Sequence, residues 1–257
     1  MSVPLILGIV VLVGAAPRTT DPEGDWDLTT RPDLELTAAS LTFNQNVLAL
    51  RCREGVLDML VSGLPVSTGE SRTVRVSAGA IDDEEQRWIA RPGERVLGPE
   101  EPARLARQLR AGGEMDLRVE PEAEGERPRR YRLPVPASAA SVDTVLTACR
   151  TPLSDPRDLL RRASVSDGPV WRTHLAPDYP TNREAMRAGA GEVKLSCVIG
   201  PGWRLEDCRA DLETPPGAGF AEAAIRAAER SSVSPPASGA DVRGQVVRFT
   251  NRFLLPR

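Results

Sequence analysis

Glycine and proline punctuation cuts the last third of this chain into five short elements, and no other feature limits its fold as tightly. Tyr179-Pro180 forces an extended entry, because a residue before proline avoids the helical region. Thr181 or Asn182 can cap a helix running through Arg187, and Gly189 can end it. Glu192 to Ile199 alternates, which places Val193, Leu195 and Cys197 on one face of a strand. Gly200-Pro201-Gly202 supplies a turn, and Arg204 to Leu212 reads as the returning strand that carries Cys208. Pro215-Pro216-Gly217 breaks the chain before a second helix, whose Phe220, Ala223, Ala224, Ala227 and Ala228 form a small-residue face. Pro235-Pro236 and Gly239 break it again, and Val242 to Leu255 is the third strand, anchored by Val246, Phe249 and Phe253. Helix, strand, strand, helix, strand buries its apolar faces as a three-stranded antiparallel sheet with both helices on one side.

The region before this is patterned differently. Residues 17–33 are polar and turn-rich and read as a flexible segment. Leu48, Leu50 and Cys52 alternate with Ala49 and Arg51; Val56 to Leu60 returns after Gly55. Arg72 to Ser77 alternates again, as do Met115, Leu117 and Val119, and then Tyr131, Leu133 and Val135 beyond a charged hairpin loop. Pro99 to Ala111 reads as a helix closed by Gly112-Gly113, with Arg104, Arg107 and Arg110 on a basic face that is expected to be solvated. Asp82 to Glu85 reads as a solvated acidic loop, since it lacks the alternating ligands and glycine of a calcium loop. Val142, Val145, Leu146 and Cys149 mark a second helix. Residues 34–149 are therefore expected to form a mixed α+β domain. Residues 150–170, rich in Pro, Ser, Asp and Arg, read as a linker to a second domain at 171–257.

The amino terminus carries an apolar run from Leu5 to Val13 followed by Gly14-Ala15-Ala16-Pro17. The run is shorter than the roughly 20 residues needed to span a bilayer. It fits a signal peptide at 1–16 with a small-residue cleavage site, although no Lys or Arg precedes it. An uncleaved anchor and a buried strand remain as alternatives. The chain has 4 cysteines, an even number that behind an export signal suggests disulfides. Three pairings exist in principle. Cys197 and Cys208 flank one hairpin and are natural partners, which leaves Cys52 and Cys149 to close the first domain; four free thiols and a loose zinc site are the competing readings.

The ordered set Tyr179-Pro180, Gly191, Gly202, Phe220, Pro236 and Phe253 resembles the carboxy-terminal domain of the TonB family over about the last 80 residues. The resemblance implies a TonB-like three-stranded antiparallel sheet with two helices, whose last strand accepts an added strand from a transport receptor. Arg243, Val246, Val247, Arg248 and Phe249, with Tyr179 and Pro180, are the candidate partner-binding residues. Residues 34–149 resemble an uncharacterised module that precedes such domains in some alphaproteobacterial proteins. The chain departs from an energy-transducing TonB. It has no histidine in its apolar segment, a folded domain stands in place of a long Pro-rich spacer, and cysteines flank the hairpin.

Enzyme signatures are missing from the sequence. The sole histidine, His174, sits among Trp171, Leu175 and Tyr179, where packing or capping explains it. There is no G-x-S-x-G, phosphate-loop or H-E-x-x-H motif, and Gly217-Ala218-Gly219 lacks the strand-to-helix context of an anion site. A net charge of -3 argues against nucleic acid. The sequence thus points to a non-enzymatic, cofactor-free periplasmic adaptor that binds a protein, with an outer-membrane TonB-dependent receptor as the named candidate. Membrane contact arises only if the amino terminus stays uncleaved, and a homodimer stays open. A membrane-anchored energy transducer is the alternative. A second is an enzyme or ligand-binding protein acting through residues 34–149.

Overall fold

A computed structural model describes residues 25–123, 125–163 and 169–255. The expected signal peptide at 1–16 lies outside the described residues. The fold is α+β, mostly antiparallel, with four α-helices.

The first core belongs to a nine-stranded sheet in the order β1-β2-β3-β4-β7-β6-β5-β8-β9. Its strands are β1 (Asp27–Arg31), β2 (Leu36–Thr42), β3 (Val47–Arg53), β4 (Val56–Ser62), β5 (Ser71–Ala78), β6 (Ile81–Ala90), β7 (Val96–Pro99), β8 (Gly113–Val119) and β9 (Arg129–Val135). Strict alternation in β3 and β5 sends Leu48, Leu50, Cys52, Val74 and Val76 inward. Helix α1 (Pro102–Leu109) packs on β4, β5 and β7, and α2 (Ala140–Ala148) on β2 and β3. The sheet curls until the ends of β2 and β9 line one open cleft with Asp25 and Asp27. Cys52 on β3 is joined to Cys149 at the end of α2, which pins the last element of this core to its centre.

The second core holds β11 (Ala190–Ile199), β12 (Leu205–Thr214) and β14 (Val246–Leu254) in the order β12-β11-β14, with α3 (Arg183–Ala188) and α4 (Phe220–Glu229). Asn182 caps α3 by accepting from Ala185 N at 2.7 Å, and Gly189 ends it at φ 67. Glu213 accepts from the amides of Phe220 and Ala221 at the positive end of α4. Cys197 and Cys208, facing each other across β11 and β12, form the second disulfide with Cα atoms 4.1 Å apart. Short strands β10 (Val170–Thr173) and β13 (Ser232–Ser234) pair separately.

Several sequence expectations need correction. Within the segment read as flexible, Trp26 is fully buried and Asp27–Arg31 is the edge strand β1, because the indole fills the curled sheet. The acidic run Asp82 to Glu85 lies inside β6, where Arg75 takes Asp83 and Glu85 and Arg104 takes Glu84. Ion pairing is what allows a charge run to be a strand here. Helix α1 starts at Pro102, since the residues before it complete β7. The third strand of the second core begins at Val246, after a turn with Gly244 at φ 75.

Residues 150–163, within the segment read as a linker, are docked on the first core. A 3-10 helix (Pro156–Leu159) carries the buried Arg157 and Asp158, and the whole segment is clamped by the arginines of α1. Arg107 holds Asp158 bidentately at 2.5 and 2.7 Å and donates to Pro152 O. Arg104 donates to the carbonyls of Asp158 and Leu160, and Arg110 to that of Leu153. The basic face of α1 is thus the cradle of a docked connector, not a solvated surface.

Candidate docking edge and the charged seam beside it

Strand β14 is an edge strand, and its register fixes which of its main-chain groups are free. It pairs with β11 without a bulge, from Val246 opposite Val198 to Leu254 opposite Ala190. Val246 gives its N–H to Arg161 O and receives Ala163 N–H, each at 2.9 Å, so its main chain points away from β11. By strand alternation Arg248, Thr250, Arg252 and Leu254 point the same way. No main-chain partner meets these outward groups among the described residues. Thr250, Arg252 and Leu254 are exposed.

The side chains of β14 are divided between two faces. Val247, Asn251 and Phe253 are buried on the face toward α4, and Phe249 meets Trp171 edge-on at 5.0 Å. Tyr179, Gly191, Phe220 and Phe253 converge there. Phe220 lies 4.8 Å from Phe253 and 5.6 Å from Tyr179, and its ring covers Gly191 so closely that a Cβ would collide with it. Tyr179 donates its hydroxyl to Ala185 O at 2.7 Å. These aromatic residues fix β11 and β14 from behind.

Arg248 lies on the opposite face. It contacts Asp211 at 3.2 Å, Glu100 at 3.4 Å and Glu101 at 3.4 Å, so a strand of the second core is tied to the entry of α1 in the first. Arg162 of the connector takes both oxygens of Glu101 at 2.7 to 3.0 Å. Together Glu84, Glu85, Glu100 and Glu101 face Arg87, Arg104, Arg162 and Arg248 around a small cleft of about 70 Å³. Four carboxylates against four guanidiniums make a balanced cluster, which suits a structural seam better than a site for a charged ligand. Burial pushes the Glu101 carboxyl up, but the hydrogen bonds from Arg162 and the fields of Arg248, Arg162 and Arg104 outweigh it and hold it below the ordinary carboxylate range. Burial likewise disfavours charged Arg248, and Glu101, Asp211 and Glu100 reverse that and raise its pKa.

The candidate partner-binding residues are accordingly separated. Val246 and Val247 are buried and Tyr179 is engaged in packing, so their side chains are not offered to a partner. Arg248 is consumed by the seam. Phe249 and Pro180 are half-buried. Arg243 is exposed but paired to Asp241 at 2.7 Å, with its guanidinium 5.6 Å from the Trp203 ring centre. What the expectation of strand addition at the last strand left open is which main-chain groups are free, and these belong to Arg248, Thr250, Arg252 and Leu254. The alternating pattern of β14 could have located them, had the strand's starting residue been fixed.

The two edges of the nine-stranded sheet are less open. On β9, Arg129, Arg130 and Arg132 crowd the edge and Pro134 lacks a donor. Strand β1 is only five residues long. Among the described residues there is no cluster of His, Cys, Asp and Glu that could hold a metal ion, and no helix long and apolar enough to cross a membrane. His174 lies against Trp171 at 4.5 Å. In a wider cleft, Arg72 donates to Val66 O and Glu120 O, Arg95 to Leu64 O and Gly63 O, and Glu122 binds Ser67 and Thr68. No protein-family model matches the sequence, and no curated protein and no solved structure matches the chain.

Proposed function

We infer that this chain is a TonB-like adaptor of the bacterial cell envelope that binds a partner protein by adding the partner's extended strand to β14. The observation that carries this reading is the row of unpaired outward main-chain groups from Arg248 to Leu254, on a strand locked in place by β11 and the Tyr179–Phe220–Phe253 cluster. An added strand satisfies those groups in register, and side chains at alternate positions set which segment fits. Two disulfides favour an oxidising compartment such as the periplasm. The partner class that suits the resemblance is an outer-membrane β-barrel receptor with an extended periplasmic segment.

The test uses proline at an outward position. Thr250→Pro removes a free donor and leaves the β11 ladder intact, whereas proline at Val247 would break the ladder itself. The full chain immobilised against an outer-membrane extract is expected to capture a β-barrel receptor, and the Thr250→Pro chain is expected to lose it. Equal capture by the two chains overturns strand addition at β14.

A further inference from the structure

The connector already occupies one end of this edge. Arg161 O accepts from Val246 N–H and Ala163 N–H donates to Val246 O, making a parallel bridge between Arg162 and Val246. These are the same kind of outward groups that stand unpaired further along β14. Among the described residues, only these two main-chain hydrogen bonds join the connector to the strand. Its hold comes from side chains instead. Arg162 is 12% exposed, binds both oxygens of Glu101, and donates to the carbonyls of Arg157 and Leu160. Arg248, the next outward residue of β14, reaches the same Glu101. One carboxylate therefore fastens the connector and the strand it lies on.

We propose that residues 161–163 are a displaceable internal strand, held by Glu101, which blocks the leading end of the docking edge until a partner strand replaces it. This regulation rests on the reading of β14 as the docking edge. An entering strand that pairs at every outward residue from Val246 to Leu254 makes more main-chain hydrogen bonds than the connector does, so exchange favours the partner once the latch opens. The ionic hold is local and partly buried, so neutralising Glu101 weakens it without touching the ladder between β14 and β11.

The latch can be read without a partner. Arg161 and Arg162 are trypsin sites that a paired connector protects, and Arg129, exposed where the β8–β9 loop enters β9, serves as an internal reference. Cleavage of an opened segment follows the population of the open form. In the full chain, Glu101→Gln is expected to raise cleavage at Arg161 and Arg162, relative to Arg129, by about tenfold. Val246→Pro removes the donor to Arg161 and spares the β11 ladder, and it is expected to do the same. Unchanged relative cleavage in Val246→Pro overturns the latch, whatever Glu101→Gln does. Thr250→Pro is expected to leave cleavage at wild-type level while abolishing receptor capture, so failure of the latch and failure of the docking edge give different results.

Discussion

Arg248 of β14 and Glu101 at the entry of α1 lie 3.4 Å apart and join two cores that the sequence separates by a connector. Both side chains are mostly withdrawn from solvent, at 17% and 22% exposure, so each needs the other's charge. Arg248→Ala leaves Glu101 with Arg162 as its remaining direct ion pair and is expected to cost about 2 kcal/mol, the scale of an incompletely satisfied buried charge. Urea denaturation of Arg248→Ala, Glu101→Gln and the double variant measures it. A coupling below about 0.5 kcal/mol would mean that the pair does not act as a unit.

Acid should loosen the same seam. The folded-state pKa of Glu101 lies below its ordinary value of 4.5. Its stabilisation is therefore complete above that value and is lost as pH falls through the folded value. Between neutral pH and pH 3, the wild-type urea midpoint is expected to fall more steeply than that of Glu101→Gln. Parallel curves would remove Glu101 from the account of acid sensitivity.

How much of this was legible in the sequence depended on whether a residue's partner was local. Asn182 and Gly189 cap the helix between them, and Cys197 and Cys208 face each other across one hairpin, so short-range patterns sufficed. Arg104, Arg107 and Arg110 were read as a solvated face because helical spacing says nothing about what meets it. Their acceptors are connector carbonyls some 43 to 56 residues away, which any sequence supplies, and the carboxylates of Glu84, Asp143 and Asp158, which lie at least 20 residues away. Which residues of β14 keep free main-chain groups was hidden for a related reason: a free main-chain group has no side-chain signature. Gly191 stands between these cases, a residue quoted from a motif whose physical cause, the Phe220 ring, appears only in the fold.

Gly191→Ala should therefore be costly out of proportion to one methyl. The added Cβ meets the Phe220 ring, which is itself wedged between Tyr179 and Phe253. Overpacking of this kind is expected to destabilise the protein by roughly 1–3 kcal/mol. A denaturation midpoint within error of wild type would show that the ring can move aside.

The two disulfides should contribute unequally. Cys52 and Cys149 are separated by 97 residues, and Cys197 and Cys208 by 11. In the chain-entropy model the first closure is worth about 5 kcal/mol and the second about 3. Replacing Cys52 and Cys149 together by alanine is expected to lower stability more than replacing Cys197 and Cys208, as measured by urea denaturation under non-reducing conditions. The reverse order would point to native-state packing, not chain entropy, as the larger effect.

The most direct measurement is residue-resolved amide exchange on the full chain, alone and with a β-barrel receptor recovered from the outer-membrane extract. Thr250 and Arg252 amides are expected to exchange fast alone and to become protected in the complex, while Asn251, already bonded to β11, stays protected throughout. Thr250 and Arg252 amides that stay fast in a formed complex would contradict strand addition at β14.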